Sequence, residues 1–250
     1  MANIIGLTPL CKELDAIKTN GEKYRTAGVK IPHFIMNLKK ENGQSFVAKY
    51  IAEELYDNGL RSFCGIEMCL EYEIDGSKNQ LSNIFEDIRS NAVYTNEYYG
   101  VIAFDVSKLS QYLNEYQLEY FLTNLKCVSE FATIIIYCDT DNYSNGSELK
   151  NIILSELKNC IDVDLSPYSK EDYAKMVIQN IEDRGIEVET STKMLKSLGE
   201  VINVHGISRA RETALMADKL LSYADYSNCV PKIGVKEISS FVSSEKKSFA

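Results

Sequence analysis

The sequence predicts a two-part chain. An α/β domain on a parallel sheet spans 1–165, a small all-helical domain spans 166–242, and a disordered tail spans 243–250. Three observations carry this. Short continuous apolar runs at 100–105 and 132–138 read as strands buried on both faces, as parallel sheets require. Stretches of helical periodicity separate the runs, so strands and helices alternate, which implies βαβ units. After Pro167 the alternation stops and amphipathic helical stretches follow one another.

Taken in order, residues 7–27 carry Leu7, Leu10, Leu14 and Ile17 at helical spacing, with Pro9 near the first turn. Residues 33–38 form an apolar strand. Phe46, Val47, Tyr50, Ile51, Glu54 and Leu55 repeat as a helix that Asn58 and Gly59 close. Residues 62–74 include a second strand, in which Leu70, Tyr72 and Ile74 alternate with glutamates. Asp75, Gly76 and Ser77 make a turn able to cap a helix with Leu81, Ile84, Phe85 and Ile88 on one face. The run at 100–105 is the third strand, and a helix carrying Leu109, Leu113, Leu118, Phe121, Leu122 and Leu125 follows it. The fourth strand is 132–138, then a helix at 148–159 and a short strand at 161–163. Helices at 169–183, 190–203 and 207–224 are punctuated by Gly185 and Gly206, and 235–242 adds a last helix or short strand.

Composition narrows the class. The chain has 250 residues, 45% hydrophobic and 25% charged, the ordinary range for a globular protein. No apolar run reaches the ~18 residues of a membrane-spanning helix. The first residues lack the basic-then-apolar order of a secretory signal, so a cytoplasmic location is expected. Seven cysteines at scattered spacing do not form a disulfide framework, and with two histidines they give no structural metal site; Cys64 and Cys69 are the closest pair. The net charge of −9 disfavours nucleic acid and anionic membrane, and the pairs Lys39–Lys40 and Lys246–Lys247 are too short to make a strong basic patch.

The segment with most chemical content lies between the first strand and the second helix. A phosphate-binding loop reads G-x-x-x-x-G-K-[ST], with backbone N–H groups cradling phosphates and the lysine reaching the β/γ-phosphates. Here Leu38 takes the first glycine, Gly43 the second, Gln44 the lysine and Ser45 the hydroxyl. About sixty residues later an apolar strand ends in Asp105, followed by Val106. The strand at 132–138 runs into Asp139, Thr140, Asp141 and Asn142. Gly206 and Arg209 open the helix at 210–223 with the pattern Gly-x-x-Arg.

In order and spacing these four features resemble the AAA+ ATPases, ring-forming P-loop NTPases with a helical lid, over residues 5–240 at the level of layout. Residues 75–88 and the start of the helical part at 167–172 also look like the corresponding stretches of that family. The resemblance implies a P-loop NTPase-like α/β domain followed by a lid, and ATP or ADP with Mg²⁺ as cofactor. It implies that Gly43, Gln44, Ser45, Lys39, Lys40, Asp105, Asp139, Asn142 and Arg209 surround the nucleotide. Ser45 and Asp105 would hold Mg²⁺, a polar residue among 139–142 would sense the γ-phosphate, and Arg209 would reach back to the phosphates. His205, just before the Gly-x-x-Arg pattern, is expected to cap or pack, and Arg211 to point away from Arg209.

The departures matter as much. Gln44 carries no charge where the family has lysine. Val106 stands where the family has a catalytic glutamate, and valine can neither accept a proton nor orient water. No arginine lies between Arg89 and Arg184, where the family supplies an arginine finger; such a finger contributes roughly 10³–10⁵ in rate. Lys126 could take its place, but as a point charge without the planar fork. No catalytic residue is therefore assigned. The reading is an AAA+-like pseudo-ATPase that binds nucleotide weakly or not at all and acts as a regulatory or assembly subunit, with a protein partner or a homo- or hetero-oligomer expected. One alternative is an active AAA+ ATPase using Glu41 or Asp139 as base and Lys39 or Lys40 as the phosphate lysine. Another is a nucleotide-free protein-interaction module, with Gln44 hydrogen-bonded in the cleft and tyrosines such as Tyr94, Tyr98, Tyr99, Tyr112 and Tyr116 on its surface.

Overall fold

The computed structural model describes residues 5–62, 67, 69–93, 100–109, 114–163, 165, 167–227 and 229–248. Two compact units result, one of Leu7–Leu165 and one of Met1–Gly6 with Ser166–Ala250.

The larger unit runs α1 (Thr8–Thr19), α2 (Gly21–Thr26), β1 (His33–Met36), α3 (Gln44–Asp57), β2 (Cys69–Glu73), α4 (Lys78–Val93), β3 (Val101–Asp105), α5 (Glu115–Ser129), β4 (Thr133–Tyr137), α6 (Gly146–Glu156) and β5 (Cys160–Val163). Its five strands pair in parallel in the order β2-β3-β4-β1-β5. β1, β3 and β4 are central, which is why 33–36, 101–104 and 133–137 are buried without alternation. Register places Glu73 beside Asp105 and Asp105 beside Tyr137, so their side chains gather at the carboxyl ends of three strands.

Packing explains the helices. Leu81, Phe85 and Ile88 of α4 and Phe121, Leu125 and Val128 of α5 cover one face of the sheet. Phe104 is fully buried among rings, about 6 Å by centroid from Phe85, Phe121 and Tyr72. Arg89 donates to Asn124 across α4 and α5. The helix expected over 7–27 breaks in two at Asn20, whose side-chain amide donates to Ala16 O at 2.8 Å and whose N–H takes the last carbonyls of α1. Gly59 adopts φ +63° and ends α3 as the sequence pattern requires. Of the second strand expected in 62–74, residues 63–66 and 68 lie outside the described residues.

The smaller unit holds α7 (Lys170–Glu182), β6 (Glu187–Val188), α8 (Thr192–Val204), α9 (Ala210–Leu221), β7 (Lys232–Ile233) and α10 (Val235–Ser248). Met194, Leu198, Val201, Met216, Leu220, Ile238 and Phe241 form its core. Two differences from the sequence reading appear. A parallel pair of two-residue strands, β6 and β7, joins the helices; two residues are too few to show a period. The last helix also continues to Ser248, beyond the Val242 boundary at which the tail was expected to begin.

No helix among the described residues is long and apolar enough to cross a membrane. None of the six described cysteines is in a disulfide.

Candidate functional site

The connection from β1 to α3 is held in a non-helical shape. Glu41 and Gly43 both have positive φ, +68° and +89°, and Asn42 N–H closes a turn on Lys39 O at 3.1 Å. Val47 N–H then reaches Gly43 O at 2.9 Å, so the helix opens at Gly43. The first N–H groups of any helix lack intrahelical acceptors and carry the positive end of its dipole. Gly43 is therefore suited to an anion-binding turn, and Ser45 stands exposed beside it.

Gln44 fills this turn. Its amide nitrogen donates to Leu38 O at 2.8 Å and to Asp105 Oδ2 at 3.2 Å. The backbone carbonyl of Gln44 accepts from the buried Tyr137 hydroxyl at 2.8 Å. The side chain is thus fixed between the loop and the end of β3, with both amide protons used. Leu38 is buried, and its carbonyl oxygen faces the same amide.

Asp105 has a second tie. Its Oδ1 accepts from Ser107 N–H at 3.0 Å and from Ser107 Oγ at 2.6 Å, and Ser107 Oγ accepts from Asp139 N–H at 3.1 Å. Asp139 is buried, and its carboxylate accepts from the N–H groups of Asp141 (3.1 Å) and Asn142 (3.0 Å) and from Asn142 Nδ2 (2.5 Å). It closes its own loop, as aspartate does in an Asx-turn. Asn37 ties that loop to β1, accepting from Thr140 N–H at 3.2 Å and donating to Asp141 at 3.3 Å.

The lysines lie on carboxylates. Lys39 pairs with Asp141 at 3.5 Å. Lys40 and Lys108 take one oxygen each of Glu73, at 2.6 and 2.5 Å. Hydrogen bonds from Lys108 and then Lys40 hold the Glu73 carboxyl below its ordinary range. Lys126 pairs with Glu156. Val106 is fully buried in the core, so its side chain belongs to the packing of the sheet. Among the described residues no group of three or more His, Cys, Asp or Glu is placed to hold a metal ion.

In the smaller unit Arg209 is exposed at the N-terminus of α9. There the Glu212 carboxylate accepts from Ser208 N–H at 2.8 Å and Arg209 N–H at 3.1 Å. His205 follows α8 and stacks on Phe241, ring centroids 5.6 Å apart, so it packs as expected. Of the surface tyrosines, Tyr94, Tyr98, Tyr99 and Tyr112 lie outside the described residues, and Tyr116 is exposed with Lys78 Nζ 5.9 Å from its ring centre.

The parallel sheet in the order 2-3-4-1-5, the phosphate-loop position after β1 and the aspartate ending β3 can be set beside solved structures. PCH-2 from C. elegans superposes with a TM-score of 0.56 at 12% identity, over 96% of this chain and 68% of that one. This chain has the AAA+ fold. The FIGL-1 AAA domain, solved in complex with ADP, gives a TM-score of 0.55 at 12% identity over 96% and 82%. Katanin, from a structure concerned with its self-assembly, gives 0.52 at 14% over 92% and 74%. No family model matches the chain, and no curated protein matches it by sequence.

Within this AAA+ frame, sequence reasoning missed Glu73, Lys108, Ser107, Asn37 and Tyr137. Ser107 carried a signal, since a serine two residues after an aspartate is a common turn pairing. Glu73 carried none, because it looked like one more solvent-facing glutamate of an alternating strand.

Proposed function

We propose that this chain is an AAA+-like pseudo-ATPase that binds nucleotide weakly or not at all and serves as a regulatory or assembly subunit of a homo- or hetero-oligomer in the cytoplasm. The observation that carries the reading is Gln44, a neutral amide in the lysine position, hydrogen-bonded to both Leu38 O and Asp105. An ammonium there would stabilise phosphate charge; an amide supplies a dipole only. A carbonyl and a carboxylate converge on that amide, and both repel an incoming anion.

The residues fit Mg²⁺-nucleotide in part. The α3 N-terminus, Gly43 and Ser45 could hold a phosphate, and Ser45 with Asp105 could hold Mg²⁺. Asp105 would first have to give up Gln44, and a hydrogen bond to a charged group is worth about 1.5–3 kcal/mol. Chemistry is harder to place than binding. Val106 is buried and apolar, and a nucleotide bound here would lack a carboxylate on its water at that position. The active alternative draws little support. Lys39 and Lys40 sit on acids, and Asp139 spends its oxygens on its own loop. The nucleotide-free module remains as the limiting case, with Gln44 as its internal plug. Oligomerisation is supported by the likeness to katanin, from a structure concerned with its self-assembly.

Calorimetric titration of ADP and ATP with Mg²⁺ tests this, repeated for Arg209→Ala, with phosphate release measured alongside. The reading expects millimolar or weaker binding and no Mg²⁺-dependent hydrolysis above buffer. Robust turnover abolished by Asp105→Ala would overturn it.

A further inference from the structure

At the other end of the same sheet, where strands begin, lies a recess of about 770 Å³. It is bounded by the stretch between α2 and β1, by the residues after α3, and by the turn between α5 and β4. That volume falls within the range of small-molecule sites, ~300–1,000 Å³. Among the described residues, Arg25, Lys30 and Arg61 line it against one carboxylate, that of Glu130, in a chain whose net charge is −9. The rings of Tyr24 and Tyr56 supply part of the remaining wall. We propose that this recess is a binding site for a small anionic ligand with an aromatic body.

The charges come from separate parts of the chain and are held in place. Arg25 Nη1 donates to Asn58 O at 2.6 Å, which anchors the guanidinium beside the end of α3. Arg61 Nε donates to Thr133 Oγ1 at 2.8 Å, which anchors it to the start of β4. A guanidinium presents its N–H donors in a planar fork, and that of Arg25 stands exposed at the recess, a geometry suited to a carboxylate, sulfonate or phosphate. Lys30 pairs with Glu130, and both are more than half exposed. An exposed pair of this kind contributes little, so a ligand anion can replace Glu130 as the partner of Lys30. The phenol rings offer rigid, amphipathic surface to the ligand body. Tyr56 keeps 47% of its surface exposed.

His33 lies within electrical reach. Burial first, and then the charges of Arg61 and Lys30, depress its imidazole, while Glu130 acts in the opposite sense. The ring therefore reports charge in the recess, and His205 in the other unit serves as the internal control. The chain has only these two histidines.

The experiment is a titration of the full chain with benzenesulfonate at pH 7, read by calorimetry and by the NMR signals of the histidine and tyrosine rings. Sulfate and benzyl alcohol are the comparison probes. Saturable binding of benzenesulfonate is expected, with His33 signals moving and His205 signals still. Arg25→Ala should weaken binding roughly tenfold, and Glu130→Gln should tighten it. Both positions are exposed, and a gain on Glu130→Gln is a result that misfolding cannot produce. Equal binding of sulfate would overturn the aromatic part of the proposal, and equal binding of benzyl alcohol the anionic part. No saturable shift at His33, or an affinity indifferent to Arg25→Ala, would overturn the site itself.

Discussion

Gln44 Nε2 donates to Asp105 Oδ2 at 3.2 Å, joining the phosphate-loop position of β1–α3 to the end of β3 through a neutral side chain. The bond spans 61 residues of sequence. Substituting Gln44→Lys keeps the reach toward Asp105 and adds the missing charge. ADP affinity should then rise by roughly tenfold or more, since charge-assisted bonds to phosphate are about twice as strong as neutral ones. Calorimetry on the variant checks this. Hydrolysis should stay at the level of buffer, because Val106 is unchanged. An ADP affinity equal to that of the wild type would mean that charge at position 44 does not limit binding.

Val106→Glu is the converse test. Val106 has no exposed surface and packs with Phe104, Leu109 and Ile136 in the core of the larger unit. A carboxylate placed there must be desolvated or must force the strand end outward. A loss of about 2–4 kcal/mol is expected in urea denaturation, with no gain in phosphate release. Unchanged stability together with new Mg²⁺-dependent turnover would show that the strand end can turn this residue toward solvent.

The loop after β4 should depend on Asp139 and Gly146 together. Asp139 is buried with three hydrogen bonds to its carboxylate, so Asp139→Ala strands two backbone N–H groups and the Asn142 amide. A cost of about 2–3 kcal/mol follows, and Asp139→Asn should recover part of it because one acceptor oxygen survives. Gly146 packs against that loop: a Cβ there would come within 2.7 Å of Asp139 O and 2.9 Å of Thr140 Cα. Backbone cannot swing aside as a side chain can, so Gly146→Ala should cost about 1–3 kcal/mol. Denaturation of the single and double variants checks both. A double variant that costs less than the sum would show that the two substitutions disturb one loop.

Much of the fold was legible because its signals are local. The apolar runs at 101–105 and 133–137 are central strands buried on both sides, and burial of that kind writes itself into sequence as an unbroken run. Asn58 with Gly59, and Asp75 through Ser77, are turn chemistry that acts within four residues. The candidate site was legible only as a set of positions. That Gln44 would bond Asp105 depends on a loop shape set by Glu41 and Gly43. That Glu73 would gather Lys40 and Lys108 depends on strand register, which pairs it with Asp105. Register and loop shape are decided by long-range packing, and no short window of residues contains them. The division of 7–27 into α1 and α2 was readable after all, since Asn20 followed by Gly21 is a capping pair that the apolar stripe through Ile17 masked.

His33 makes stability depend on pH. Its ring is buried at the start of β1, and Nδ1 accepts from Ile134 N–H of β4 at 3.0 Å, completing the junction of the two strands. Burial, then the charges of Arg61 and Lys30, lower its pKa from 6.5 to about 4. The unfolded chain therefore binds the proton more readily than the folded one between these values. The neutral ring's contribution is fully present above about pH 6.5, and it is lost progressively as the pH falls toward 4. Roughly 1–1.5 kcal/mol of stability should disappear between pH 7.5 and 5.5 on this account alone, from the ~1.4 kcal/mol per pH unit that such a proton imbalance gives. His33→Asn keeps an acceptor near the Nδ1 position without a titrating group. Urea midpoints at pH 7.5, 6.5 and 5.5 should fall more steeply for the wild type than for this variant, the difference isolating His33 from the carboxylates. Parallel slopes for the two proteins would show that the imidazole is not held neutral by the fold.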